Sequence, residues 1–244
     1  EICACLVGSE MCIRDRLLYG EANPSGRLAE TFPYRLEDNP SYLHFPGNGK
    51  RVLYGEDIFV GYRYYDTKKV LVRYAFGHGL SYTEFAYGDL NLSSAQMTDE
   101  DILTVSFKVK NTGKTEGKEV VQLYVADLCG ISERPVKELK GFAKVHLLPG
   151  EEKTVSMEIL ARDLSYYEER LGDWYAPSGT YRILIGHASD DIRLHADIVF
   201  ETQKELPFRV DFTTTFGELL DHTKTAPVIT ELLAPLAAAA ASAE

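Results

Sequence analysis

The sequence predicts a mainly β protein: a seven-stranded antiparallel sandwich with an extended connector before it and short helices after it. Three observations predict this. From Phe85 to Phe200 apolar residues recur at every second position in short runs, the signature of strands with one buried face. Turn residues such as Asn111-Thr-Gly113 and Leu148-Pro-Gly-Glu151 separate the runs. Before Phe85 the chain is irregular and rich in Pro, Gly and Tyr, and beyond Glu201 it changes to Thr-led, Ala-rich segments.

The strands follow in order. Phe85–Leu92 is the first. Ile102–Asn111 alternates cleanly and puts Leu103, Val105, Phe107 and Val109 on one face. Glu119–Asp127 is the third, with Val121, Leu123 and Val125 alternating, and Val136–Leu148 is the fourth, bent near Gly141. Lys153–Leu160 sets Val155, Met157 and Ile159 on one side, and Thr180–His187 and Leu194–Phe200 complete the set. Seven short strands with this punctuation read as an immunoglobulin-like sandwich. After it, Thr213–Asp221 offers Thr caps ahead of a short helix. Thr225–Leu233 is a second helix with Pro227 in its first turn, and Pro235 is expected to interrupt it.

Composition narrows the function. Of 244 residues 45% are hydrophobic and 26% charged, with a net charge of −11. An acidic surface argues against nucleic acid or an anionic membrane as partner, since both select basic patches. No apolar run reaches the roughly 18 residues of a membrane helix. Cys3, Cys5 and Cys12 crowd the start without a Cys-x-x-Cys pair or a nearby His, a poor fit to a metal site. Cys129 stands alone in the main body, so no disulfide framework is expected and a reducing, cytoplasmic location is favoured over a secreted one.

Two motif groups carry more. Leu18-Tyr-Gly-Glu-Ala-Asn-Pro-Ser-Gly-Arg-Leu-Ala-Glu-Thr-Phe-Pro33 combines a dense turn at Asn23–Gly26 with a short strand, Arg27 to Phe32, stopped by Pro33. Downstream, Gly55-Glu-Asp-Ile-Phe-Val-Gly-Tyr-Arg-Tyr-Tyr-Asp66 precedes Tyr74-Ala-Phe-Gly-His-Gly-Leu-Ser-Tyr-Thr83. Two glycines one residue apart inside an aromatic cluster fit a backbone that needs positive φ or close approach. Together these segments resemble glycoside hydrolase family 3, the β-glucosidase family. Val109–Gly113, Glu119–Val125, Arg134-Pro-Val-Lys-Glu-Leu-Lys-Gly-Phe142, Leu148–Glu151, Trp174 and Tyr181–Gly186 resemble the family's fibronectin type III-like domain.

The resemblance implies an organisation. Residues 17–84 are the end of an α/β/α sandwich domain plus an interdomain connector, 85–201 the fibronectin type III-like sandwich and 202–244 a helical extension. Residues 1–16 fit nothing in the family; Cys5–Asp15 resembles a translated sequencing-adaptor stretch, and the segment is expected to be non-native. The remnant strand has no sheet to join and should be poorly buried. The aromatic run of Tyr62, Tyr64, Tyr65, Tyr74, Phe76 and Tyr82 is read as filling the seam between domains rather than as a sugar-stacking surface. Trp174 is read as packing against the sandwich core rather than as a sugar platform. Arg134 and Lys137 are expected to be solvated, or paired with Glu133 and Glu138.

Retaining glycosidases need two carboxyl groups about 5 Å apart across the scissile bond. In the family the nucleophilic Asp and the acid/base Glu precede the segment matched from Leu17, so no catalytic, substrate-binding or metal residue is assigned. Glu21, Glu30, Glu56, Asp57 and Asp66 lie in matched segments without occupying a catalytic position; adjacent Glu56 and Asp57, if in a strand, would face opposite sides. His44, His78, His146, His187, His195 and His222 are scattered, and His78 is read as structural. The implied parent reaction is hydrolysis of terminal β-linked glucosyl residues of a glucoside or oligosaccharide, with retention and no cofactor, this stretch packing on the catalytic domains as scaffold. Xylosidase and N-acetylglucosaminidase specificities stay open. The alternative is a stand-alone β-sandwich module that binds carbohydrate or protein.

Overall fold

In the structure, a computed structural model, residues 13–130, 134–208 and 210–241 are described. All seven expected strands form. They are β3 (Phe85–Leu92), β5 (Ile102–Asn111), β6 (Gly117–Asp127), β7 (Glu138–Leu147), β8 (Glu152–Leu160), β11 (Gly179–Ala188) and β12 (Asp191–Glu201). Among the described residues there are five more short strands: β4 (Gln96–Thr98), which joins the sandwich, and the separate pairs β1 (Phe32–Pro33) with β2 (Val72–Tyr74) and β9 (Tyr166–Glu168) with β10 (Asp173–Tyr175). The sandwich faces a five-stranded sheet, in the order β4-β12-β11-β6-β7, against a three-stranded sheet, β3-β5-β8. The long pairs are antiparallel, but the three-residue edge strand β4 runs parallel to β12.

The core is the inward half of each alternation. Leu103, Val105, Phe107 and Val109 of β5 are buried as one face, and they meet Val121, Leu123 and Val125 of β6 and Ile183 and Ile185 of β11. The predicted bend in the fourth strand is a register shift: Leu123 pairs with Gly141 but Tyr124 pairs with Leu139, leaving Lys140 as the bulged residue. At the sandwich end, Asn111 is fully buried yet satisfied. Its side-chain oxygen accepts from Thr83 Oγ1 and Gly113 N, and its Nδ2 donates to Thr115 O and Leu147 O.

β6 breaks the alternation in an informative way. From Val121 to Ala126 every residue is buried, on both faces. The core covers Val121, Leu123 and Val125. The connector covers the other side at Gln122, which donates to Gly77 O, and at Tyr124, which meets the Tyr62 ring. The connector is also more ordered than its composition suggests. Helix α1 (Tyr62–Lys68) ends at Lys69, whose φ of +55° is a left-handed cap; the next helix, α2 (Ala161–Leu164), is a single turn after β8. The expected strand Arg27–Phe32 contracts to β1, which includes Pro33 and pairs with β2 alone; Phe32 remains 43% exposed. Leu28 instead exchanges backbone bonds with Gly77 and His78.

The chain divides into two units. The first runs to Tyr166 and takes in Trp174–Gln203; the second combines Tyr167–Asp173 with the residues from Lys204 onward. In the second, α3 (Phe216–Asp221) starts at Thr215, which forms a reciprocal capping box with Glu218. Here α4 (Ala226–Ala241) runs through position 235 rather than stopping there. A proline removes one backbone donor, and the alanine run that follows has the highest helix propensity of any residue type.

Candidate functional site

The two family-like motif groups, some fifty residues apart, meet at one seam. Asn23 is the first tie: its Oδ1 accepts from Ser81 Oγ at 3.0 Å and Tyr82 N at 2.9 Å, and its Nδ2 donates to Glu116 O at 2.9 Å. The glycines follow. Gly77 has φ +83°, and a Cβ there would strike the Gln122 side chain. A Cβ on Gly79 would strike Arg27 and the Gly26 carbonyl. Both therefore serve close approach, as their spacing predicted. Phe76 O accepts from Ser189 N, and Gln122 Nε2 donates to His187 O at 2.6 Å. Tyr62 packs on Phe76 and edge-on to Tyr124 with centroids 4.8 and 5.9 Å away. These rings fill the seam.

Beside them lies the most buried charge among the described residues. Glu119 has no exposed surface and shares the parity of Val121, Leu123 and Val125, the core-facing side of β6. Its Oε2 accepts from Arg27 Nη2 at 2.7 Å, and its Oε1 accepts from Tyr87 Oη at 2.7 Å and contacts His187 Nδ1. Arg27 is 7% exposed and belongs to the connector, so the ion pair is a clasp between connector and sandwich. Burial, and then the Glu119 charge, push the Tyr87 phenol far up, which keeps it protonated as a donor.

A second charged cluster holds α1. Arg63 reaches Glu138 at 3.3 Å and Lys137 reaches Asp66 at 2.8 Å. Leu139 N donates to Tyr62 Oη and Val136 N donates to Thr67 Oγ1. Arg134 spans Asp127 and Glu138, both at 3.0 Å, and donates to Leu164 O. Arg134 and Lys137 are thus sequestered ion-pair members, not solvated side chains; Glu133 lies outside the described residues. Burial alone would raise the Glu138 pKa, but Lys140, Arg134 and Arg63 together hold it below the usual value. Burial depresses the pKa of Lys140 against the pull of Glu138.

The remaining candidates do not converge. Trp174 is 37% exposed and lies outside the core cluster, with the Arg162 guanidinium 2.9 Å from its ring centroid; its partner is a surface cation, not the core. Glu21 and Glu30 are exposed, Asp66 is in the α1 cluster, and Glu56 and Asp57 sit in a turn where Asp57 has φ +50°. His78 packs on Tyr74 at 5.1 Å and its carbonyl accepts from Leu28 N, a structural role. His44 borders Gly55, His146 pairs with exposed Glu116 and His222 stacks on Phe208. Among the six histidines His187 alone joins a buried carboxylate. An open groove of about 710 Å³ along Leu43–Leu53 is walled by consecutive residues of one loop. No group of three potential metal-ligating side chains occurs among the described residues. Sequence reasoning counted His187 among scattered histidines and gave Glu119 no role; the available signal was a carboxylate at a core-facing position of an otherwise apolar alternation.

The comparisons with known proteins agree with this anatomy. Residues 4–82 match the glycosyl hydrolase family 3 C-terminal domain and residues 119–189 match the fibronectin type III-like domain. The chain belongs to glycoside hydrolase family 3. The match starts at residue 4, ahead of Leu17 where the motifs begin, and residues 13–18 are helical. Thermostable β-glucosidase B of Acetivibrio thermocellus is 48% identical over 217 residues, 89% of this chain and 29% of that protein. A β-glucosidase of Kluyveromyces marxianus is 48% identical over 78% of this chain and 22% of its own length. Among solved structures, the family 3 β-glucosidase of Bifidobacterium adolescentis superposes with a TM-score of 0.77 at 36% identity, covering 88% of this chain and 31% of that one. The chain therefore spans less than a third of the relatives it matches.

Proposed function

We propose that this chain is the scaffold portion of a longer retaining β-glucosidase that hydrolyses terminal β-linked glucosyl residues. The carrying observation is the uneven finish of its surface. The sandwich core is closed, whereas the connector leaves Leu18, Tyr19, Leu43, Tyr54, Leu71 and Leu80 each more than two-thirds exposed. Large apolar groups crowded into one segment mark a surface that packs on protein. The relatives that share this segment extend well beyond it. In this reading the Glu119 clasp and the α1 cluster fix the connector on the sandwich, and the connector's apolar surface meets the catalytic domains.

The carboxylates at hand support a scaffold role. Glu119 is enclosed by three partners, and Asp127 and Glu138 are committed to Arg134. None is placed to attack an anomeric carbon or to protonate a leaving oxygen. Cys129 is a free thiol whose pKa burial pushes up to about 11, which leaves it a poor nucleophile and suits a structural rather than a catalytic role. The test is direct: the purified chain incubated with an aryl β-glucoside releases no aglycone above a buffer control. Measurable turnover by the chain alone would overturn the scaffold reading.

A further inference from the structure

We infer that Asn48 is a site of spontaneous deamidation, carried by the turn that holds it. Asn48-Gly49 is the single Asn-Gly step in the sequence. Asn48 N donates to Arg51 O at 2.9 Å and Arg51 N donates to Asn48 O at 3.3 Å, so Gly49 and Lys50 are the two central residues of a tight exposed turn. Gly49 has φ +64°, and the position where a Cβ would stand is open space. Its N–H donates to no acceptor among the described residues. The nitrogen is therefore unprotected, unshielded by a side chain and one residue from an exposed amide.

The chemistry needs only water and hydroxide. Hydroxide removes the Gly49 amide proton, and the nitrogen attacks Asn48 Cγ. The new N–Cγ bond forms as the Cγ–Nδ2 bond breaks, and Nδ2 leaves as ammonia with a proton from water. The five-membered imide then adds water at either carbonyl, and the ring C–N bond breaks to give aspartate or isoaspartate. One neutral amide becomes one carboxylate, beside Lys50 and Arg51. Both turn bonds that define the loop involve Asn48 and Arg51 backbone atoms, so neither ties down the attacking nitrogen.

The experiment incubates the whole purified chain at mildly acidic and mildly alkaline pH and follows residue 48 by peptide mass spectrometry, an isoaspartate-specific methyltransferase assay and isoelectric focusing. The expected result is an acidic charge variant that accumulates faster at alkaline pH, with isoaspartate at position 48 ahead of Asn91 and Asn111. Gly49→Ala slows conversion, because a methyl on the neighbouring Cα hinders ring closure by the attacking nitrogen and an alanine is strained at φ +64°. Asn48→Gln abolishes it, since the larger ring closes poorly. Denaturation midpoints of both variants report that the sandwich stays folded. Conversion no faster than at Asn91 or Asn111, or undiminished in folded Gly49→Ala, would overturn the inference.

Discussion

At the scale of single residues, burial decides which ion pairs matter. Arg182 and Asp197 form two short bonds across β11 and β12, but both are exposed, and such pairs contribute about 0–1 kcal/mol. Glu119 is the opposite case. Truncating it strands Arg27, 7% exposed, without a counter-ion, and losing one partner of a buried pair costs about 3–5 kcal/mol. Glu119→Ala should therefore lower the urea midpoint severely while Arg182→Ala barely moves it. Glu138 adds a pH dependence. Its folded pKa lies below the ordinary 4.5, so its contribution is full above that value and is lost as pH falls below it. Urea midpoints taken from neutral to acid pH should decline across that window, and Glu138→Gln should flatten the decline. Lys140→Met should be mild by comparison, because Arg134 and Arg63 still neutralise Glu138 and a buried ammonium disappears.

At the scale of elements, local rules are strongest where tertiary contacts are few. Thr215 Oγ1 accepts from Glu218 N and Glu218 accepts from Thr215 N, so Thr215→Ala removes the hydroxyl half of the α3 cap, at about 1 kcal/mol, and leaves the backbone donor to Glu218 in place. Hydrogen exchange should speed up in α3 and stay unchanged in β5 and β6. The same locality explains what was legible in the sequence. β5 and β8 have one face on the core and one on solvent, so period two revealed them and their inward residues. α1 escaped because Tyr62–Lys68 is stabilised by its partners, Glu138, Lys137 and the backbone of 136–139, rather than by an amphipathic stripe of its own. β4, β9 and β10 are three residues each, too short to show a period. The seam was half legible. Gly77 and Gly79 announced close approach, but nothing in the connector names Glu119 as the group Arg27 would meet across 92 residues.

At the scale of the whole molecule, the connector belongs to the sandwich it precedes. The family correspondence changes domain between residues 82 and 119, yet the folded unit does not divide there: residues on both sides of Phe85 fall in one unit. The physical reason is β6, whose second face is closed by Phe76, Tyr62 and the Gly77 backbone. A fragment beginning at Phe85 would open Gln122 and Tyr124 to water and deprive Glu119 of Arg27. Water reaching Glu119 would soften the loss of its counter-ion, so the cost should come mainly from the apolar seam, at about 25 cal/mol per Å² newly exposed. Residues 85–203 should then unfold at a clearly lower urea midpoint than residues 17–203, with a smaller denaturant slope because less surface is buried. Returning residues 17–84 as a separate polypeptide should recover part of the difference, and Arg27→Ala in that polypeptide should recover less. Equal midpoints for the two fragments would mean that the sandwich is complete without its connector and that the clasp contributes nothing to its stability.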